Sequence, residues 1–379
     1  MRLSAFATLA VACTAWISAP ASAAGDAAIV GTISVPGAPF ASLSTHDGTV
    51  LFVSVSAAGP GSRAGIVVFR RTGKELTQIG FVGLRTLTAF GMALLADDST
   101  LLVADGEGVA LVDATAAKTG ARTDPVYVVD DPDAGTIEVV VTPDGRTAFA
   151  ADENRAALSV LRIERQPSGQ PGAVRTGSID VDRAPVGLAL SPNGATLYVA
   201  GELALRGPAT ADAGGDLVRR CGPRGVVNGT LTAVDVARRA VVARLAAGCS
   251  PVRVAVTADG VTVWVSVRGD DRVIAFDAAK IRTDAAHALV AQARVGSAPV
   301  GIALLASDTL LAVANSNRFD PGARTSTVTV LNLGATPSVR TSVTTGSFPR
   351  EFSVSPDGAL LYLTNYRSRS VEIIDVTRL

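Results

Sequence analysis

The feature that most constrains the fold is a phrase that recurs along the chain: an alternating apolar run, a short turn, and a second alternating run. The clearest turns are Pro143-Asp144-Gly145, Pro192-Asn193-Gly194 and Pro356-Asp357-Gly358. Asp-Gly and Asn-Gly between such runs predict β-hairpins, because the turn needs a positive φ that these residues tolerate. Recurrence of the phrase indicates a fold assembled from copies of one unit.

Weaker copies of the turn complete a regular series. With turns at positions 47, 97, 144, 193, 259, 307 and 357 as anchors, successive separations are 50, 47, 49, 66, 48 and 50 residues. Each of the seven units has a further apolar pair downstream, so about four strands fit in each unit. The sequence therefore predicts an all-β protein, a seven-bladed β-propeller with four antiparallel strands per blade.

The two ends of the chain predict how the ring closes. The last unit stops one strand short after residues 371–376, whereas Ile29–Val35 stands unattached before the first unit. Pairing the N-terminal strand with the last blade uses both facts and removes an exposed sheet edge. Helical periodicity is nearly absent, and a short helix is expected only at Thr283–Ala293, between two blades.

The N-terminus has the order of a secretory signal peptide. Met1 and Arg2 precede an uncharged apolar run, and Ala21-Ser22-Ala23 follows it. The run is too short for a stable membrane span. We expect a signal peptide at 1–23 and the propeller domain at 24–379, in the periplasm or secreted. A lipoprotein signal ending at Cys13 is the competing interpretation.

The one long interval between units predicts a loop insertion at about 202–227, between two strands of the fourth blade. Its Gly and Asp content is typical of a surface loop. Cys221 lies in this insertion, and Cys249 lies where the chain enters the fifth blade. Two cysteines in an oxidising compartment predict a disulfide, with two unpaired thiols as the alternative.

The composition of the chain restricts the classes of partner that it can bind. Lysine plus arginine equals aspartate plus glutamate, at 34 each, and aromatic residues make up 4% of the chain. Nucleic acid is therefore disfavoured, because phosphate attraction and base stacking need cations and aromatic rings. The sequence also lacks a phosphate-binding loop, a Gly-x-Ser-x-Gly elbow and Cys/His metal spacing. We expect a monomer without a transmembrane span in the mature chain.

Aligning the units on their turns locates the channel of the ring. The residue six before each anchor begins the innermost strand, and the occupants are Ala41, Gly91, Glu138, Gly187, Arg253, Gly301 and Glu351. Charges at this position need an aqueous channel or a partner, and Arg350 adds a second cation. Glu138, Arg253, Arg350 and Glu351 are therefore candidates for ligand binding or catalysis. The alternative is a structural salt-bridge network that closes the channel.

The loops after the second strand of each unit should lie on the same face. They supply carboxylates, amides and cations: Asp105, Glu107, Asp152, Glu153, Asn154, Glu202, Arg268, Asp270, Asp271, Asn315, Asn317, Asn365, Tyr366 and Arg367. Their oxygens suit Ca²⁺ or another divalent metal, and equally a polar ligand, so Asn315 and Asn365 join the ligand-binding candidates. Phe40 and Phe90 either line a pocket or pack between blades.

The sequences of the repeated units resemble those of the YVTN-repeat, YncE-like seven-bladed propellers, whose relatives include lactonase-type propellers. It is carried by segments such as 355–358 (Ser-Pro-Asp-Gly), 360–365 and 371–376, and it spans Ile29 to Leu379. The resemblance implies ligand chemistry on the face that carries the loops between blades. Lactonases would be expected to have a histidine there, yet His46 precedes a turn of the opposite face and His287 lies in the expected helix.

Three functions are compatible with these features. The first is an exported binding or scaffolding module that holds a protein, peptide or polysaccharide on one face of the ring. The second is a lactonase-type hydrolase, with Glu138 or Glu351 as acid or base and Arg253 or Arg350 stabilising an oxyanion. The third, nucleic-acid binding, is suggested only by the wider family. The sequence favours the first.

Overall fold

The computed structural model describes residues 26–128, 131–203, 220–221, 226–320, 322–334 and 336–379. Its strands form seven four-stranded antiparallel sheets in a ring and one separate two-stranded hairpin. The predicted seven-bladed β-propeller is therefore confirmed. The predicted signal peptide at 1–23 lies outside the described residues.

The chain enters with a 3₁₀ turn, Asp26–Ala28, and strand β1, Ile29–Ser34. Blades 1 to 3 then follow in order. Blade 1 is β2 (Ala38–Ser44), β3 (Val50–Ser56), β4 (Gly65–Thr72) and β5 (Glu75–Gly83). Blade 2 is β6 (Met92–Leu94), β7 (Thr100–Ala104), β8 (Val109–Asp113) and β9 (Val126–Val128). Blade 3 is β10 (Thr136–Val141), β11 (Thr147–Asp152), β12 (Ala157–Arg165) and β13 (Pro171–Asp180).

Blades 4 to 7 complete the ring. Blade 4 is β14 (Pro185–Leu190), β15 (Thr196–Gly201), β18 (Thr230–Asp235) and β19 (Ala240–Ala246), with the hairpin β16 (Arg220–Cys221) and β17 (Val226–Val227) inserted. Blade 5 is β20 (Pro251–Val256), β21 (Thr262–Val267), β22 (Arg272–Asp277) and β23 (Leu289–Arg294). Blade 6 is β24 (Pro299–Leu305), β25 (Leu310–Asn315), β26 (Ser326–Asn332) and β27 (Ser338–Thr345). Blade 7 is β28 (Pro349–Val354), β29 (Leu360–Asn365), β30 (Ser370–Asp375) and the returning β1.

The ring closes as the two ends of the sequence predict. Strand β1 pairs antiparallel with β30, with Ile33 opposite Val371. A hydroxyl also joins blade 7 to blade 1, because Thr364 Oγ1 donates to the Phe40 carbonyl over 2.7 Å. Strand β1 thus supplies the outermost strand of blade 7, so that β30 is paired on both sides.

The hairpin turns hold their register through the repeated aspartate. Asp144 accepts a hydrogen bond from the Thr142 hydroxyl over 2.6 Å and another from the Arg146 amide over 3.0 Å. Gly145 then takes the left-handed conformation, with φ 68°. In blade 2, whose turn lacks glycine, Asp98 takes that conformation instead, with φ 54°. Asp is one of the few side chains that tolerates this φ, so the weaker repeat keeps the same turn.

Burial follows the position of a strand within its blade. The second strands β7, β15, β25 and β29 are buried on both faces, because neighbouring blades cover them from both sides. The outermost strand β23 alternates half-buried and exposed residues. The largest sealed side chains lie between blades, and they include Phe52, Phe69, Phe149, Phe276 and Tyr362. Each contributes roughly 1.5–3 kcal/mol by its removal from water.

The expectation of a helix at Thr283–Ala293 is wrong. The helix α2 spans Ala278–Thr283, followed by a 3₁₀ turn at Ala285–His287, and the residues from Leu289 form β23. Asp277 begins α2, because its side chain accepts from the amides of Ala279 and Lys280. The remaining helices are α1 (Ala114–Lys118) and 3₁₀ turns at Arg268–Asp270 and Val376–Arg378.

The segment at 202–227 lies between β15 and β18, where the sequence places a loop insertion. Residues 204–219 and 222–225 of it lie outside the described part of the chain. The structure joins Cys221 to Cys249 in a disulfide, with a Cα–Cα distance of 5.5 Å, as the sequence predicts. This bond ties the inserted hairpin to the entrance of blade 5. No helix of the described ranges combines the length and the apolar character that crossing a membrane requires.

Candidate functional site

A repeated β-bulge directs side chains into the channel. In blade 7 the register between β28 and β29 shifts between Pro349 and Phe352, so that Arg350 and Glu351 together face one residue, Thr364. Blade 5 has the same shift between Pro251 and Val254. A bulge bends its strand and re-aims the extra side chain. The sequence alignment on turns therefore identified the positions that enter the channel.

Glycine makes the space that these charges occupy. A Cβ at position 91 would overlap the carboxylate of Glu138. A Cβ at position 187 would overlap the Val252 carbonyl, and one at position 301 would overlap the Arg350 carbonyl. Small residues in blades 2, 4 and 6 thus alternate with the larger Glu138, Arg253 and Glu351 in blades 3, 5 and 7.

Arg253 lies at the centre of a charged cluster that it forms with Glu138 and Glu351. Its Nε donates to Glu351, and its Nη1 donates to the Val186 carbonyl. Its Nη2 lies 3.5 Å from the Glu138 carboxylate. The Arg253 side chain is 7% exposed, so a single guanidinium bridges blades 3, 4, 5 and 7 inside the protein.

The protonation state of Glu138 sets the net charge of this cluster. Burial raises the pKa of Glu138 to about 8, against the opposing attraction of Arg253. Burial disfavours the charge on Arg253, but the Glu351 and Glu138 carboxylates outweigh it and the pKa of Arg253 is raised. At neutral pH the Glu138 carboxyl is therefore mainly protonated, and the charge of Arg253 is balanced by Glu351.

A cavity of about 370 Å³ lies on the hairpin-turn side of the cluster. Glu138, Arg253 and Glu351 form its charged end, and apolar residues such as Leu94 and Ile302 line the rest. A protonatable carboxyl beside a cavity is an arrangement found in acid catalysts. The Glu138 carboxyl and the Arg253 guanidinium both border the cavity, and these two groups are paired with each other.

The opposite side of the cluster is an apolar collar, formed by the residue that precedes each channel position. Its members are Phe40, Phe90, Ile137, Val186, Val252 and Val300. Phe40 and Phe90 pack edge to face with ring centroids 5.0 Å apart, so they pack between blades and also border the collar. In blade 7 the same position is occupied by Arg350.

Arg350 differs from Arg253 in its partners. Its guanidinium lies over the ring of Phe40 at 4.4 Å and over the ring of Phe348 at 5.7 Å. Among the described residues, no carboxylate lies within 4 Å of it, and its buried Nε has no hydrogen-bond acceptor. Burial and the charge of Arg253 lower the pKa of Arg350 to about 10, so it stays cationic at neutral pH.

Phe348 completes this part of the channel mouth, and the sequence analysis did not single it out. It has a φ of 61°, as do the matching residues before the inner-strand prolines, Ala184, Ser250 and Ala298, with φ near 53°. A bulky aromatic is unusual in this conformation. The sequence signal was therefore available: a large residue at a position that is small in three other blades.

Further charges surround the mouth. Arg268 forms an ion pair of 2.6 Å with Glu202, and both side chains are largely buried. Burial raises the pKa of Glu153, and the Glu202 carboxylate adds to this, whereas Arg268 and Arg318 oppose it. Arg367 is exposed and lies over Phe348 at 4.7 Å. This face therefore carries charges of both signs, and Arg367 is an exposed cation among them.

Other predicted site residues do not join the cluster. Asn315 is fully buried and donates to Thr327 and Thr329 of the next strand, over 3.0 and 2.9 Å. Asn365 is also fully buried, beside the Glu372 carboxylate. Both amides lie within their own blades, so we leave them out of the ligand site proposed below.

Each of the two histidines contacts an aspartate, and neither belongs to the charged cluster. His46 contacts Asp98 at 2.6 Å on the hairpin-turn side, and His287 contacts Asp284 at 2.9 Å. Their side chains are 58% and 76% exposed, respectively. Within the residues that the structure describes, no three His, Cys, Asp or Glu side chains are grouped to hold a metal ion.

Solved structures share this fold. A chain of Kuenenia stuttgartiensis hydrazine synthase superposes with a TM-score of 0.66 at 20% identity, covering 92% of this chain and 98% of that chain. A chain of the mitotic checkpoint complex gives 0.66 at 12% identity, with 99% of each chain covered. The Cps50 (Swd1) β-propeller domain of Myceliophteria thermophila gives 0.64 at 14% identity, covering 92% and 99%. These similarities show the β-propeller fold.

No protein-family model matches the sequence, and no curated protein is significantly similar to it. The similarity thus extends to the fold alone.

Proposed function

We propose that this protein is an exported, YncE-like binding or scaffolding module, which holds a partner on the face of the ring that carries Arg350 and Phe348. The observation that supports this most is the engagement of the channel carboxylates. Glu138 and Glu351 are both paired with Arg253. Arg350 and the exposed Arg367 instead lie over aromatic rings, and neither forms an ion pair with a described residue. Arginine and aromatic residues are the types most enriched at protein interfaces.

A matched pair of substitutions tests which face binds. Arg367→Glu reverses a charge at the mouth, and Arg146→Glu makes the same change at an exposed hairpin turn of the opposite face. Immobilised native protein and both variants are exposed to a cell-envelope extract, and the retained proteins are quantified by mass spectrometry. We expect Arg367→Glu to lose at least tenfold of the retained partner and Arg146→Glu to keep it. Equal retention by both variants would contradict a binding function for this face.

A lactonase-type hydrolase is the second candidate, favoured by one observation. Glu138 has a pKa raised to about 8 by burial and borders the cavity of about 370 Å³. A carboxyl that is protonated at neutral pH can act as a general acid. If this function holds, Glu138→Gln abolishes hydrolysis of a lactone panel measured by pH-stat. Absence of turnover by the native protein removes this candidate.

A further inference from the structure

The position of Arg350 is anomalous within the collar. Six of the seven equivalent residues are apolar, and three of them, Val186, Val252 and Val300, form one buried cluster. Arg350 is only 9% exposed, so its aliphatic part is packed like a collar residue while its charge is kept away from bulk water. Burying a charge without a counter-ion is costly. Packing alone therefore does not account for an arginine at this position.

The neighbouring groups add to the imbalance. Arg253, Arg268 and Arg318 all lower the pKa of Arg350 because they add positive potential at its guanidinium, and only the Glu351 carboxylate opposes them among the main contributions. The nearby carboxylates have other partners, since Glu351 binds Arg253 and Glu202 binds Arg268. An anion placed beside Arg350 would thus gain from several cations at once.

The surrounding rings define the shape of the space. The Arg350 guanidinium lies over the rings of Phe40 and Phe348, 4.4 and 5.7 Å from their centroids, and Tyr366 packs near Phe348 with centroids 5.9 Å apart. Stacking on rings leaves the edge of a guanidinium free, and this edge is what binds a carboxylate through two parallel hydrogen bonds. Phe348 keeps its ring here despite a φ of 61°, a conformation that disfavours bulky residues.

We propose that the mouth contains a carboxylate-binding subsite centred on Arg350, and that it takes the acidic side chain or C-terminus of a partner peptide. This proposal rests on the proposed function, because it names what the binding face recognises. A peptide is favoured by the arginine and aromatic composition of the rim, which includes Arg367 and the 64% exposed Phe319 beside Arg318. The apolar side chains that flank the acid would contact these rings.

The first experiment uses acetate as the minimal carboxylate. Tm is measured for the native protein, Arg350→Met and the opposite-face control Arg146→Met, in sodium chloride and in sodium acetate at equal ionic strength. We expect acetate to raise the Tm of the native protein and of the control by about 2 °C or more, and to have no effect on Arg350→Met. In chloride, Arg350→Met should melt at or above the native temperature, because an uncompensated charge is removed.

One result of this experiment would overturn the proposal. If Arg350→Met lowers Tm equally in both salts and acetate leaves the native protein unchanged, then Arg350 is a structural cation between two rings and the subsite does not exist.

The second experiment separates peptides from other sources of carboxylate. Calorimetric titration uses the peptide acetyl-Ala-Phe-Asp-Phe-Ala-amide, its Asn counterpart, and digalacturonate. We expect the Asp peptide to bind at least tenfold more tightly than the Asn peptide, and this ratio to fall to about one in Arg350→Met. Binding of digalacturonate but not of the Asp peptide would overturn the assignment to peptides.

Failure of the subsite can be distinguished from failure of the binding function. If Arg367→Glu loses envelope partners but Arg350→Met retains them, the face binds a partner without a carboxylate at Arg350. If both variants retain every partner, the proposed function fails as well.

Discussion

Arg253 and Arg350 are two buried arginines of one channel, and they differ in what balances their charge. Arg253 lies between the carboxyl groups of Glu138 and Glu351, and its Nη1 donates to a carbonyl. Arg350 has two aromatic rings and no carboxylate within 4 Å among the described residues. The first guanidinium is paired with acidic groups of the protein and joins four blades, although its Nη2 has no hydrogen bond to a described residue. The second guanidinium has no ion pair with a described residue and no acceptor for its buried Nε, so its position calls for an explanation.

Replacing Arg253 gives the largest expected effect and tests whether the two arginines differ. Arg253→Met leaves the Glu138 and Glu351 carboxyls buried together without their cation, which should cost about 3–5 kcal/mol of unfolding free energy. Urea denaturation measures the loss. The triple variant with Glu138→Gln and Glu351→Gln should recover most of it, because the whole charged network is then gone. If Arg253→Met proves as harmless as Arg350→Met, the two arginines are equivalent and the distinction is wrong.

A smaller effect is expected at the glycine that makes room for the cluster. Gly91→Ala places a methyl group against the Glu138 carboxylate and should cost about 1–3 kcal/mol. In a Glu138→Ala background the same change should be nearly neutral, so a double-mutant cycle measures the contact. Gly177→Ala is the control, since a Cβ there meets nothing within 4 Å. A cost that persists without the Glu138 side chain would show that Gly91 serves the backbone instead.

A third effect concerns the pH dependence of stability. Since burial raises the pKa of Glu138 from 4.5 to about 8, the folded state binds its proton more tightly than the unfolded state. The contribution of Glu138 to stability is then complete below pH 4.5 and is lost as pH rises through about 8. Glu138→Gln should flatten this decline in the unfolding free energy between pH 5 and pH 9. An unchanged slope would mean that Arg253 keeps the carboxyl ionised.

Sequence reasoning reached the fold because a propeller is repetitive. The seven turns at Asp47, Asp144 and their equivalents carry local signals, and each hairpin must place apolar residues on both faces of its blade. The same reasoning aligned Glu138, Arg253 and Glu351, since equivalent positions in equivalent blades share one level of the channel. The disulfide followed from two cysteines remaining after the N-terminal segment. The region at 283–293 failed because a short alternating strand next to a capped helix has no strong period of its own.

The site was harder to predict, because side-chain partners depend on distances across the ring. The amides of Asn315 and Asn365 share a loop position with exposed residues, yet each lies within its own blade and packs under a neighbouring glycine, Gly296 or Gly346. Nothing in the local sequence separates these amides from those at the rim. Phe348 was overlooked although its size was a signal, since the equivalent residues Ala184, Ser250 and Ala298 are small; its contacts with Arg350 and Arg367 needed the structure.

The amino-acid sequence by itself determined the number of blades, the strands within each blade, the closure by the N-terminal strand and the set of charged residues in the channel. These properties depend on turns and alternation, which act between residues close in the chain. The tertiary structure decided that Arg253 is neutralised and that Arg350 is not. Charge compensation depends on separations of a few ångströms between residues up to 213 positions apart, such as Glu138 and Glu351, and only the closed ring sets those separations.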